Sequence, residues 1–453
     1  MIRIFNHYVS LTILFIAFGD FLILTGTFLG IQSIGDGSQS LSRSIGSISG
    51  TPSILLASLI TGLLGILSLF ISGLYDFTHF TDSKEFKIRL AVAILMIFFF
   101  TEIIHILFSP PHPKKYLHII AVFISILILA AWRTAAVNFR FKGSTEQVLF
   151  LGNAHIAKIL SEINLQRNNV AVVKILSQDE LSDFDLADFI SKNTVHRIVV
   201  AMNDRRGKLD IPRLLHCKMS GIKVCEWGTF YEIHANKIDI MSINPSFLIF
   251  GEGFRQPKVL RLIKRVLDSL MALVVLILTI PLFIIVAIAV KLESPGPIFY
   301  SQERVGRYNK PFHIYKFRSM VTDAEKGNSP VWAKKNDSRI TRVGQFIRKT
   351  RLDELPQLWN ILKGEMSFVG PRPERPVFVK ELEEKIPFYS QRHIVKPGLT
   401  GWAQIRYEYG ASIEDALKKL EYDLYYVKNM SIFLDIMTIM ETVHVVLFRK
   451  GSR

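Results

Sequence analysis

Cysteine is almost absent: Cys217 and Cys225 are the two in 453 residues. Two thiols cannot build a disulfide framework, and their eight-residue separation fits no zinc-ligand spacing. They read as reduced, structural thiols. Charge is scarce too. Charged residues make up 21% of the chain against 49% apolar, and the mean hydropathy is +0.29. Yet Lys and Arg number 55 against 39 Asp and Glu, a net +16. A basic soluble protein usually lowers its apolar fraction to carry such charge, so the pairing points to a membrane protein with basic cytoplasmic parts. No nucleic-acid-binding motif accompanies the charge, and no nucleic-acid partner is expected; basic surface beside membrane segments accounts for it more simply. The length excludes a single small module, since domains run to roughly 100–200 residues each.

The apolar residues are concentrated in the first 140 positions and in one later run. Segments 9–31, 54–75, 88–108 and 116–137 are each longer than the roughly 20 residues needed to cross a hydrocarbon core of about 30 Å. The first has only Arg3 as a flanking cation, is too long for a signal peptide and lacks a small-residue cleavage site, so it reads as a retained helix. The loop after it, rich in Ser and Gly, holds only Arg43, whereas the next holds Lys84, Lys87 and Arg89, and the fourth segment leads into Arg133, Arg140 and Lys142. A Pro-rich turn at 109–113 with Lys114 and Lys115 weighs slightly the other way. Cation retention on the cytoplasmic side therefore predicts both ends in the cytoplasm.

From about 147 to 249 short apolar runs alternate with amphipathic stretches. Strands are predicted at 148–151, 170–176, 197–202 and 222–226, with helices at 154–165 and 212–220, the alternation of a parallel α/β sheet. What this domain lacks is a GxGxxG turn. Leu151, Gly152, Asn153, Ala154 and His155 follow the first strand, and the second ends without a carboxylate. A dinucleotide cofactor and an oxidoreductase role are not expected here; a structural or docking role is.

Residues 255–453 hold 33 Lys and Arg against 20 Asp and Glu, a net +13. An apolar run from 269 to 290 carries Pro281 near its middle, with Arg261, Lys264 and Arg265 before it and Lys291 after it. One reading is a spanning helix. The reading favoured here is a re-entrant helix over about 261–293 that breaks at Pro281 and leaves by the face it entered. The stretch 431–448 is apolar but carries Asp435, Glu441 and His444, which suits an interfacial amphipathic helix.

The sharpest candidate site is Arg348, Lys349, Thr350, Arg351, Leu352, Asp353, Glu354, Leu355, Pro356. Leu355, Leu358, Ile361 and Leu362 recur at helical spacing, and a proline is tolerated in a first turn, so a helix is predicted to start near Asp353. An N-cap role would account for Asp353 alone. Adjacent carboxylates beside several cations suggest more: a carboxylate nucleophile attacking phosphorus, with Mg²⁺ on Asp353 and Glu354 balancing a diphosphate. Further on, Arg372 sits between Pro371 and Pro373, pre-positioned to fork onto a phosphate. Lys396 to Gln404 forms a turn with an aromatic and an amide, and Lys316 and Arg318 fall on one face of a predicted strand.

In this order and spacing the segments PGPIFYSQERVGR, IYKFRSM, RLDELPQLWN, KGEMSFVGPRP and KPGLTGWAQ resemble the bacterial sugar transferase family, the polyprenyl-phosphate phosphoglycosyl transferases, over nearly all of 261–453. The layout resembles the long form that initiates exopolysaccharide or O-antigen synthesis. Within it, WAQIRYEYGAS and YDLYYVKNMS resemble transferases found beside exosortase-type systems. The resemblance implies a membrane helical bundle (1–143), a Rossmann-like α/β domain without cofactor (144–252) and an α+β monotopic catalytic domain (253–453). It implies attack by Asp353 on a UDP-sugar, release of UMP, and transfer of the phosphosugar to polyprenyl phosphate. Asp353 and Glu354 map to the family's acidic dyad with Mg²⁺ beside them, and Lys316, Arg348 and Arg372 to its phosphate- and nucleotide-contacting cations. Arg318, Arg351 and Gln404 join them as candidate substrate-binding residues. The partners implied are membrane lipid and a second copy of the chain, and the place is the bacterial inner membrane with the catalytic domain facing the cytoplasm. Two features depart from the family pattern: Ile280 before Pro281, where serine is common, and Ile405, Arg406, Tyr407 after WAQ, where an NGR-like triplet is common.

Overall fold

The computed structural model describes residues 2–4, 7–35, 51–75, 83–108, 116–141, 145–152, 170–177, 180–181, 184–202, 210–241, 249–322, 339–407, 410 and 412–448. The predicted helix at 154–165, the loop bearing Arg43, the Pro-rich turn at 109–113 and Lys142 lie outside them. The chain forms two compact units: Met1–Ile2 with Tyr8–Cys225, and Arg3–His7 with Glu226–Arg453.

Two short strands, β1 (Ile2–Ile4) and β2 (His7–Val9), precede four helices, α1 (Leu11–Gly35), α2 (Thr51–Ile71), α3 (Ser83–Phe108) and α4 (Tyr116–Phe141), over the four apolar segments of the first unit. All four contribute to one cluster that includes Ile16, Leu24, Leu69, Ala93, Ile97 and Leu129. Close approach is built into the sequence: a Cβ at Gly19 would collide with Trp132 and one at Gly62 with Thr25. Among the described residues, two helices are long and apolar enough to cross a membrane, at Leu11–Gly30 and Lys258–Glu293.

Arg133 is not the loop cation that the sequence suggested. It is buried in the bundle, where its Nη2 pairs with Asp20 at 2.7 Å and its Nη1 donates to the Leu74 carbonyl at 2.9 Å. Tyr75 Oη donates to the same carboxylate at 2.7 Å. A carboxylate buried in an apolar bundle is costly unless paired, and this pair with its phenol supplies the partner.

Downstream in this unit, β3 (Glu146–Gly152), β4 (Val170–Leu176), β5 (Arg197–Ala201) and β6 (Lys223–Glu226) fall where alternation predicted strands. They form a four-stranded sheet of order β4-β3-β5-β6, with β3 parallel to both neighbours. Helices α5 (Leu186–Lys192) and α6 (Ile211–Met219) start on capping aspartates, Asp185 and Asp210. Val148, Leu149, Phe150 and Ile198 are fully buried, as a sheet covered on both faces requires.

The second unit takes in α7 (Trp227–Ala235), whose Glu232 accepts from Lys428 at 2.6 Å and from Asn429 at 2.9 Å. Its largest element is α8 (Lys258–Glu293), 36 residues and therefore about 54 Å long at ~1.5 Å per residue. The helix runs through Pro281 without interruption, so the expected break is not a gap in the helix. Only the hydrogen bond that the proline cannot donate is missing. Both halves of α8 pack within this unit. Leu260, Met271, Ala272 and Val275 enter the main core, while Val286 and Val290 pack with Phe317 and Ile347. A stripe including Leu262, Val266, Leu270, Val274, Leu278, Ile285 and Ile288 stays exposed.

An antiparallel hairpin follows, β7 (Phe299–Val305) with β8 (Pro311–Phe317), then α9 (Arg342–Lys349), a 3₁₀ turn at Leu352–Glu354 and α10 (Gln357–Lys363). Strand β9 (Ser367–Val369) pairs in parallel with β10 (Gly398–Thr400), with α11 (Pro376–Lys385) and a 3₁₀ helix at Tyr389–Ile394 between them. Helices α12 (Trp402–Arg406), α13 (Ile413–Asn429) and α14 (Ile432–Phe448) complete it, α13 opening on a capping box of Ser412 and Asp415.

Candidate active site

Asp353 and Glu354 do not open an α-helix as predicted. Arg351 adopts the left-handed conformation at φ 61°, Leu352–Glu354 form a 3₁₀ turn, and the α-helix begins only at Gln357. Pro356 has no N–H to donate, so the chain tightens into i to i+3 bonds, Leu355 N to Leu352 O and Leu358 N to Leu355 O, before α10 settles. A non-glycine residue with positive φ stores strain of about 1–3 kcal/mol. Here it reverses the chain between α9 and α10 and turns both carboxylates inward, leaving Asp353 and Glu354 buried.

Several predicted cations converge on this turn. Lys316 reaches it from β8, with Nζ 2.9 Å from Glu354 Oε1 and 4.0 Å from Asp353 Oδ2. Arg372 donates from Nη2 to the same Glu354 oxygen at 3.0 Å and from Nη1 to Gln404 Oε1 at 3.0 Å. Arg351 Nη1 stands 3.8 Å from that oxygen. Arg348 lies in the last turn of α9 with Nη1 buried and no hydrogen-bond partner; Gln404 Nε2 is likewise buried without a partner.

Arg318 goes elsewhere. Strand β8 ends at Phe317, and the Arg318 side chain turns to the C-terminus of α8, donating to Pro295 O at 2.7 Å, Ser294 O at 2.7 Å and Ser294 Oγ at 3.0 Å. The Ser294 carbonyl, at the C-cap of α8, is one that the helix end leaves unsatisfied. Alternation had put Lys316 and Arg318 on one face; the end of the strand separates them.

Supporting residues carried no sequence signal. Arg392 Nη2 donates to the Arg372 carbonyl at 3.0 Å while its guanidinium pairs with buried Asp423 at 2.7 Å. Arg304 Nη1 donates to Pro373 O at 3.2 Å. The Pro-Arg-Pro turn is thus held from its backbone while the Arg372 side chain faces the carboxylates. Asn360, fully buried in α10, donates to His313 O and Glu365 Oε2, both at 2.7 Å, and accepts from Tyr315 N at 3.2 Å. It satisfies the outer edge of β8 as a neighbouring strand would, one residue from Lys316.

The two adjacent acids differ in electrostatics. Burial works to raise both. For Glu354 the charges of Lys316, then Arg372, then Arg351 outweigh it and hold the carboxyl far below the usual range. For Asp353 burial dominates, opposed by Lys316 and reinforced by Glu354, and its affinity for a proton rises. Lys316 is shifted down, by burial first. Asp353 is therefore a desolvated carboxylate short of positive charge. Mg²⁺ is typically bound by one or two carboxylates with substrate phosphates and water, so two acids suffice, and the chemistry of this donor set fits the ion. Among the described residues no group of three His, Cys, Asp or Glu forms a site made of protein ligands alone.

A model of the bacterial sugar transferase family matches residues 259–449. The UDP-N-acetylgalactosamine-undecaprenyl-phosphate N-acetylgalactosaminephosphotransferase of Aeromonas hydrophila is 47% identical over 240 residues, 53% of this chain and 56% of that one. The UDP-glucose:undecaprenyl-phosphate glucose-1-phosphate transferase of Escherichia coli (strain K12) is 37% identical over 254 residues, 55% of this chain and 54% of that one. The match thus spans about half the length of these two relatives. The exopolysaccharide production protein PSS of Rhizobium leguminosarum bv. phaseoli is 42% identical over 187 residues, 40% of this chain but 93% of that one. With nearly all of that relative matched, and the motifs of residues 295–404 gathered around one buried acidic turn, this chain belongs to the bacterial sugar transferase family.

Proposed function

We propose that this chain is a phosphoglycosyl transferase that moves a sugar phosphate from a UDP-sugar to polyprenyl phosphate at a membrane, as the first step of an exopolysaccharide or O-antigen type polymer. The observation that carries this reading is the division of the acidic pair: Asp353 is buried, desolvated and short of cations, while Glu354 holds Lys316 and Arg372. A desolvated carboxylate near cations suits attack on phosphorus.

In this reaction an Asp353 oxygen forms a bond to the sugar-bearing phosphorus, and the bond from that phosphorus to the bridging oxygen breaks, UMP leaving with the electron pair. A polyprenyl phosphate oxygen then attacks the same phosphorus and the Asp353 bond breaks, giving polyprenyl diphosphate sugar and restoring the carboxylate. No water enters either step. Glu354 keeps Lys316 and Arg372 aimed at the phosphates, and Arg348 and Gln404 offer unpartnered donors to the same ligand. Mg²⁺ on Asp353 and Glu354 would neutralise diphosphate charge as it develops.

The membrane placement follows from α8. A helix that crossed the bilayer would put its two ends on opposite sides, yet both halves of α8 pack into one unit with the site, and its other face is an apolar stripe. That supports a monotopic helix embedded from the cytoplasmic face, with α14 interfacial beside it. We assign α1–α4 to a four-helix membrane region (1–143), the parallel sheet to a Rossmann-like domain without cofactor (144–252), and 253–453 to catalysis. The catalytic part faces the cytoplasm, where UDP-sugars are found, and the long form acts as a homodimer.

The test is purified chain in lipid with Mg²⁺, undecaprenyl phosphate and a panel of UDP-sugars, following UMP. Release with one sugar, abolished by Asp353→Asn, is the expected result. No release with any sugar, while a known transferase turns over in the same lipid and metal, overturns the proposal.

A further inference from the structure

We infer that the segment preceding α1 is a positioning element for this site, with His7 the positioning residue that holds the turn carrying Gln404. The inference rests on the transferase reading above and adds to it a part of the chain almost four hundred residues from the motifs.

His7 opens a short strand (His7–Val9), and its imidazole is 4% exposed. Its Nδ1 lies 2.8 Å from Tyr425 Oη, and its ring stands edge-on to Trp402 at 5.4 Å and to Tyr425 at 5.9 Å. Tyr425 Oη donates in turn to Asn236 Oδ1 at 3.2 Å, so its single proton is committed and His7 Nδ1 must carry the hydrogen between them. Burial, then Arg406, push the His7 pKa down to about 4, so the ring is neutral at neutral pH.

Trp402 is the centre of the cluster. It is completely buried, donates from Nε1 to the Asn236 carbonyl at 2.9 Å, and carries the Arg406 guanidinium 4.4 Å over its ring. It is also the first residue of α12, a helix of five residues. So short a helix has little stability of its own, and side-chain anchoring sets where it lies. Gln404 is two positions on, with its amide oxygen on Arg372 and through Arg372 on Glu354. The path from His7 to the acidic turn is thus a continuous series of contacts: Trp402 and Tyr425, the α12 backbone, Gln404, Arg372, Glu354. Arg3 adds a pair to Glu252 at 2.7 Å, but the glutamate is exposed and the pair contributes little.

Removing the imidazole leaves a gap against Trp402 and takes away the 2.8 Å contact to Tyr425 Oη, which loosens α12 and with it Arg372. The experiment uses the full chain in lipid, as wild type, His7→Ala and His7→Asn, the last keeping an N–H near the Nδ1 position. Three quantities are read: UMP-release kinetics, thermal unfolding, and amide hydrogen exchange over residues 402–406. For His7→Ala a fall in kcat of about 10-fold is expected, within the range that small displacements of a site cost. KM for polyprenyl phosphate should stay within about twofold, exchange over 402–406 should quicken, and His7→Asn should recover most of both effects. Wild-type kcat and exchange in His7→Ala with only a lower unfolding temperature would overturn the inference. So would equal loss of kcat in both variants without faster exchange. If the wild type itself releases no UMP, the transferase reading fails by itself. Exchange over 402–406 still decides the clamp, quickening in its favour and unchanged against it.

Discussion

Asn360 offers the most direct test of how the site is held. Its side chain makes three hydrogen bonds inside the second unit, two of them to the outer edge of β8, and none of its surface is exposed. Asn360→Leu keeps the branching and the number of heavy atoms of the side chain and removes all three. The part-buried Tyr315 N–H and His313 carbonyl then lose their partners, each costing about 1 kcal/mol, for a total of about 2 kcal/mol. The Asn360 main-chain carbonyl still accepts from Gly364 N and Glu365 N, so the end of α10 should survive. What is lost is the staple between β8 and α10, and Lys316 sits on β8 beside Tyr315 while the acidic turn leads directly into α10. The substitution should lower the unfolding temperature and reduce kcat for UMP release by about 10-fold or more, since a displacement near 1 Å can cost about 100-fold. Thermal unfolding in detergent and single-turnover UMP release on the same preparation measure both. Destabilisation below about 1 kcal/mol with unchanged turnover would refute the account of Asn360 as the partner of the β8 edge.

Arg318→Ala separates a structural from a substrate-binding arginine. With its donors on Ser294 and Pro295, the change should cost about 3 kcal/mol of stability yet leave KM for the UDP-sugar unchanged in the folded fraction, and a raised KM at unchanged stability would reverse the assignment. Stability should also fall as pH drops below neutral. His7 is pushed down to about 4, by burial and then Arg406, and His393, which contacts Asn309 and Tyr389, to about 3, by burial and then Arg392. Between pH 6.5 and about 4 the unfolded chain therefore binds protons that the folded chain refuses, and stability is lost across that window, on the order of 3 kcal/mol from His7 alone. Unfolding temperatures at pH 7 and pH 5 should differ less in His7→Asn than in wild type, and an identical difference would dismiss the His7 contribution.

Much of the fold was legible because it is periodic. Four apolar runs became α1–α4, and alternation located β3, β4, β5 and β6 within a residue or two. What escaped was isolated or non-periodic. Asp20 is a lone acid in an apolar run and Arg133 a lone base near the end of another, and only their meeting at 2.7 Å shows that they form a pair rather than mark a loop. The turn at Asp353 was misplaced by four residues because propensity sees a helix through Leu355 and Leu358, whereas Arg351 at positive φ and Pro356 without an N–H delay it. Lys316, Arg351, Arg372 and Gln404 were legible as candidates and do meet around Glu354, directly or through one another. Arg392, Asp423, Asn360 and His7 were not, since a contact between distant residues leaves no local pattern.

The same limit applies within the acidic pair. Asp353 and Glu354 are neighbours of one type, and their spacing says nothing about which reacts and which only holds charge. Three dimensions separate them: the 3₁₀ turn points both inward, but Lys316, Arg372 and Arg351 all come closest to a single oxygen of Glu354. A carboxylate so neutralised has little electron density to spare for phosphorus, and its removal would strip Lys316 and Arg372 of the carboxylate they share. Asp353, 4.0 Å from the one cation it shares, stays desolvated and short of positive charge. In the role proposed for it, the burial that raises its proton affinity would also remove the water that blunts a nucleophile. In the proposed reaction one feature of the fold, an inward turn made by Arg351 and Pro356, therefore sets both roles.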